Sequence, residues 1–221
     1  MDYIKQLLFN RFKTFAFVSI SICVSMLLLM VRMKLTHSFF FLFLVWNLFL
    51  AVIPFGITSY LVSLPKLNKI ALVIWFGVWL LFLPNAPYIV TDLIHLRLNE
   101  SSILLLDVLV VGCFAFTGLI LFYLSIMDMK DILKPYLKKS IITYLEAFIV
   151  FLSAFGVYLG RFLRYNSWEI LSNPMQLFID IINIIFVPMA NKGAWIFTFG
   201  FGVFLCIGCL GFKKFYSKPS T

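Results

Sequence analysis

Six apolar runs alternate with short polar stretches along the chain: Thr14–Val31, Phe39–Leu61, Ile70–Leu83, Leu104–Ile126, Ile141–Gly160 and Trp195–Phe212. Most approach the roughly 20 residues that a spanning helix needs. The pattern predicts an all-α polytopic integral membrane bundle of about six transmembrane helices, forming one membrane domain over residues 1–221. Short interfacial helices are expected near Tyr88–Leu96 and Pro174–Phe186. The first run is too long for a signal peptide, and Arg32 and Lys34 follow it where small residues would mark cleavage. Pro54 should kink the second span, and Gly156 with Gly160 form a GxxxG pair that allows close helix approach in the fifth.

The third run is short. Its 14 residues cover about 21 Å of a core about 30 Å thick. Pro84-Asn85-Ala86-Pro87 then predicts a break near the membrane surface, where the backbone must be covered by protein or line a wet cavity. Asn85 is expected to satisfy the broken backbone. Beyond the break, Tyr88, Thr91, Asp92 and His95 fall at i, i+3, i+4 and i+7, one face of an α-helix, with Ile89, Leu93 and Leu96 opposite. A polar face just after a broken helix is a place where a multi-spanning protein can build a site.

Met175–Met189 competes as a seventh span, but its Gln176, Asp180 and Asn183 form a polar stripe. Asn173-Pro174 supplies a helix start before it. The segment reads as a helix in the outer interface or packed at the bundle edge.

Composition supports the membrane reading. Of 221 residues, 63% are hydrophobic and only 12% charged, far from the usage of soluble domains. The net charge of +9 would suggest nucleic acid in a soluble protein, but no basic groove or stacking motif accompanies it, so no nucleic-acid partner is expected. The Lys and Arg residues instead lie between the apolar runs. Six spans place twelve of them on the side of both termini and six (Arg32, Lys34, Arg97, Arg161, Arg164 and Lys192) on the other, so both termini should be cytoplasmic. Cys23, Cys113, Cys206 and Cys209 all sit in apolar runs and read as small core residues.

On this topology Asn85, Tyr88, Asp92, His95, Asp107, Arg161 and Arg164 all reach the extracytoplasmic face. Two readings follow. In the structural one, Asp92, Asp107 and Glu169 pair with Arg161 and Arg164. In the functional one, the two arginines, one helical turn apart, fork onto an anion such as a lipid phosphate or lipid-linked carrier, with Asp92 and His95 available for proton transfer. No nucleophile motif is present. No cofactor or metal is expected, since HExxH is missing and Asp92, His95 and His37 are the nearest approach to a ligand set. Asn47 should hydrogen-bond between helices, and Glu146 should be protonated or reach a lysine such as Lys139. Asn166 with Glu169 resembles a capping box, Trp168 suits the interface, and Asn99-Glu100-Ser101 matches a glycosylation sequon.

Three segments carry a family resemblance: WLLFLPNAPYIVTDLIHL at Trp79–Leu96, GVYLGRFLRYNSW at Gly156–Trp168 and WNLFLA at Trp46–Ala51. They resemble a family of bacterial membrane proteins known as domain of unknown function 1361. The resemblance covers nearly the whole chain and implies a multi-spanning protein of a bacterial inner or plasma membrane. It implies no activity, substrate or cofactor. The expectation from the residues is therefore a non-enzymatic membrane protein with a polar, anion- or lipid-phosphate-binding pocket. The bilayer is its partner, and the oligomeric state is left open. A membrane enzyme acting on a lipid-linked or envelope substrate, and a small transporter using Glu146 or Asp107, are the alternatives.

Overall fold

The structure, a computed structural model, describes residues 9, 11–64, 68–98, 103–165, 172 and 174–216, and at residues 95, 97 and 98 the backbone alone. Helix α1 spans Phe12–Thr36, and a 3₁₀ turn at Phe40–Leu42 leads into α2, Phe43–Ser63. Helix α3, Lys69–Phe82, is followed by a short α4, Asn85–Tyr88, and a 3₁₀ helix at Ile89–Leu98. Then come α5, Leu104–Leu133, α6, Lys139–Phe162, α7, Pro174–Phe186, and α8, Lys192–Tyr216. Six helical stretches are long and apolar enough to cross a membrane, and this is a multi-pass, all-α membrane protein. The chain forms two compact units, divided after Pro135.

In the first unit α5 is the core helix. Half of its most apolar window is buried, against 17% for α1. Its buried face carries Val110, Val111, Phe114, Leu121 and Met129, and α1, α2, α4 and the 3₁₀ helix all pack on it. Asn68 caps α3, its side chain accepting from the Ile70 N–H. Trp79 of α3 is fully buried and donates from Nε1 to Ser125 Oγ of α5 at 2.6 Å.

The third span is longer than its sequence suggests. Pro84 and Pro87 lack N–H groups, yet Leu83, Pro84 and Ile89 keep right-handed helical dihedrals. The candidate span therefore runs from Lys69 to Ile94, 26 residues. Leu83 N–H still reaches Trp79 O, Ala86 N–H shortens its reach to Leu83 O, and Tyr88 N–H returns to Pro84 O. The Phe82 carbonyl is taken by Asn85 Nδ2 at 2.9 Å, so Asn85 does repair the backbone. The prolines tighten the helix into a 3₁₀ continuation and do not break it.

In the second unit α6 and α8 run antiparallel. Glu146 near the start of α6 meets Lys213 near the end of α8, while Phe162 at the end of α6 meets Phe197 near the start of α8. The connection between them consequently leaves and returns at the same end. Helix α7 lies within it, so the segment is not a seventh crossing. The apparent extra span arises because a short amphipathic helix beside Val187 and Met189 has the mean hydropathy of a membrane segment but not its length.

Candidate functional site

The polar groups of the first unit gather at the two ends of the antiparallel pair α1 and α5. At one end Arg32 donates from Nε to Asp107 Oδ1 at 2.9 Å. Both side chains are buried, 3% and 0% exposed, which makes this an ion pair shielded from solvent. Arg32 Nη1 donates to the Ser38 carbonyl at 3.1 Å, and the guanidinium lies 4.5 Å from the Phe41 ring centroid. Local geometry sets this up. His37 ends α1 in the left-handed region, φ 51°, with its N–H on Met33 O, and this turn brings Ser38 back over Arg32.

At the other end Arg11 grips Asp128 with two bonds, Nη1 to Oδ2 at 2.8 Å and Nη2 to Oδ1 at 2.6 Å, and Thr58 Oγ1 stands 3.4 Å from Oδ2. Between the ends, Ser21 Oγ lies 2.6 Å and Ser25 Oγ 3.2 Å from Thr117 Oγ1. From 11 to 32 and from 107 to 128 there are 21 positions in each helix, about 31 Å of rise. The two ion pairs thus stand about one hydrocarbon thickness apart, roughly 30 Å.

The predicted polar segment sits at the Asp107 end. Asp92 is fully buried and accepts from Asn47 Nδ2 at 2.9 Å, the interhelical bond expected of Asn47. Thr91 Oγ1 turns back to Tyr88 O at 2.6 Å. The shared face expected of Tyr88, Thr91, Asp92 and His95 does not form as drawn, because three residues per turn replace 3.6 from Ile89 onward. Residues i and i+3 now stack, so Ile89 falls in the column of Asp92 and both are fully buried. Leu93 is exposed. Gly118 of α5 makes the close packing possible. A Cβ there would stand 2.4 Å from Ala86 O and 3.2 Å from Ile89 Cδ1. For His95 the backbone alone is described, within the 3₁₀ helix.

Asn85, Tyr88, Asp92 and Asp107 therefore belong to one end of one unit. Arg32, counted in the sequence only as an orienting charge, is the buried, ion-paired residue of this end that the sequence reading missed. The matched 21-residue spacing of Arg11–Arg32 and Asp107–Asp128 is the signal that could have found it.

In the second unit α6 ends at Phe162, so Arg161 and Arg164 are not one helical turn apart on a common face. Arg161 is half-buried in the last turn. Arg164 is exposed and left-handed, φ 62°, a conformation costly for a residue with a Cβ. Tyr165 N–H donates to Leu159 O at 3.1 Å. Glu146 takes the ammonium of Lys213, not Lys139, and accepts from Cys209 Sγ at 3.3 Å. Glu169, Trp168, the Asn166 cap, Asn173 and the sequon at Asn99 lie outside the described residues. Among the described residues no three His, Cys, Asp or Glu side chains converge as a metal site would need.

The fold and its paired charges define a class, the polytopic all-α membrane proteins. Within that class, the family model described as protein of unknown function (DUF1361) matches residues 46–207, and the chain belongs to this family. No match was found among curated proteins or among solved structures.

Proposed function

We propose that this is a bacterial inner- or plasma-membrane protein with cytoplasmic termini that works by binding rather than catalysis. Its ligand is an anionic, phosphate-bearing group, held at the extracytoplasmic end of the first unit around Asn85, Tyr88, Asp92, His95 and Asp107. The single observation that carries this reading is the state of Arg32. Its Nε is committed to Asp107, one Nη1 bond to Ser38 O and its face to Phe41, while among the described residues Nη2 donates to no partner. A guanidinium fixed on three sides is preorganised to offer its remaining edge to a phosphate oxygen. Asp107 holds that cation in place, and the buried Asp92–Asn47 bond fixes the neighbouring wall.

Native mass spectrometry of the purified protein with phosphatidylglycerol and phosphatidylcholine tests the proposal. Wild type should retain the anionic lipid preferentially. Arg32→Lys, which keeps the charge and loses the planar fork, should abolish the preference. Equal retention of both lipids by wild type, or an unchanged preference in both Arg32→Lys and the folded double variant Arg32→Met/Asp107→Leu, would overturn it.

A further inference from the structure

Helix α7 divides into three sectors at 100° per residue. Leu177 and Ile184 are buried and form the packed sector, with Trp195 Nε1 of α8 donating to Ile184 O at 3.2 Å. Gln176, Asp180 and Asn183 form the polar sector. There Asp180 receives Tyr165 OH at 2.7 Å and Gln176 Nε2 at 3.1 Å, and the Asn183 carbonyl receives Asn191 Nδ2 at 3.2 Å. The third sector, an arc of about 120°, carries Met175, Phe178, Ile179, Ile182, Ile185 and Phe186, all exposed, Phe178 by 62% and Phe186 by 78%.

We infer that this arc is a membrane-surface anchor, seated in the acyl chains just below the headgroups of the leaflet at which α6 ends. Three observations identify the bilayer as its occupant. The connection holding α7 leaves and returns at one end of two spanning helices, so α7 begins beside that surface. Its 13 residues reach about 20 Å, too short to cross. Its polar sector is hydrogen-bonded and stands about 130° round the helix from the centre of the arc, the arrangement of a helix lying in the interface plane.

The seating also fixes what lies beside it. Tyr165 ties α7 to the turn that closes α6, and the preceding Arg164 is exposed and makes no ion pair among the described residues. With the arc in the acyl chains, Arg164 stands at the level of the lipid phosphates, which a guanidinium can bind with paired hydrogen bonds.

Nitroxide labels test the inference in reconstituted phosphatidylglycerol/phosphatidylethanolamine vesicles. The four native cysteines are replaced, and single cysteines are introduced by Phe178→Cys, Ile182→Cys, Asn183→Cys and, on the lipid-facing middle of α8, Val203→Cys. The ratio of oxygen to nickel-chelate accessibility should be several-fold higher at Phe178→Cys and Ile182→Cys than at Asn183→Cys, and lower than at Val203→Cys. Ratios equal to that of Asn183→Cys, ratios as deep as that of Val203→Cys, or labels shielded from both reagents would each overturn it. If the cysteine-free protein does not fold, p-benzoylphenylalanine in place of Phe178 in the native sequence gives the same decision. Photo-adducts to phospholipid support the anchor, and adducts to protein, or none, refute it.

Discussion

The two units hold their helices together by different physics. In the first, α1 meets α5 through a ladder of polar contacts: Arg11 on Asp128, Ser21 and Ser25 on Thr117, Arg32 on Asp107. In the second, α6 meets α8 largely through rings. Phe151 stands 5.9 Å from Phe199, Tyr158 6.0 Å and Phe162 5.2 Å from Phe197, with the ion pair Glu146–Lys213 toward the other end. Lipid tails are as apolar as side chains, so burial alone does not drive spanning helices together; packing and hydrogen bonds must. A polar ladder has one satisfied register, because slipping α1 by a turn would break both ion pairs. An aromatic interface can slide and repack at small cost. The difference teaches that α1, the least buried of the spanning helices, is fixed by chemistry rather than by area.

The comparison breaks first at Arg32. Arg32→Met takes the buried guanidinium away from the buried Asp107 carboxylate and should cost about 3–5 kcal/mol, while Arg32→Met/Asp107→Leu should recover most of it. Reversible unfolding in one detergent measures both. If Arg32→Met costs no more than Phe197→Leu in the aromatic interface, the contrast between the units fails.

A second test compares two glycines. Gly118→Ala drives a methyl into the Ala86 carbonyl of the backbone and should cost about 1–3 kcal/mol. Gly202→Ala meets first the Phe151 ring, at 2.5 Å, a side chain that can rotate, so its cost in the same unfolding assay should be smaller. The reverse order would mean that the aromatic interface is the rigid one.

The smallest effect lies mid-ladder. A double-mutant cycle of Ser21→Ala and Thr117→Val should give a coupling of about 0.6 kcal/mol, the usual value for a hydrogen bond between spanning helices. A coupling indistinguishable from zero would reduce the ladder to its two ends.

Hydropathy made the six spans readable because a bilayer demands long apolar helices. Pairing was harder to read. Asp107 was visible as a charge inside an apolar run, but its partner Arg32 lies 75 residues earlier, and charge counting treats such a residue as a topological signal only. The third span looked short because two prolines read as a stop. The chain passes through them by tightening to three residues per turn, and that change moved Ile89 into the column of Asp92. Asn47 and Asn85 were legible because an amide in an apolar or broken helix has few partners within reach. Arg164 was misplaced because no glycine announces the left-handed residue after α6.

The spacing of the two ion pairs turns α1 and α5 into a calliper of fixed opening. A bilayer thinner than about 31 Å would push one pair out among the headgroups, where water weakens it, and a thicker one would draw both pairs into hydrocarbon. The helix pair can answer only by tilting as a unit, since its rungs forbid one helix to slide on the other. Each ångström of mismatch then costs a fraction of a kcal/mol. Membrane thickness is thereby written into the registry of two helices, and the protein should be most stable in the bilayer whose core matches that opening.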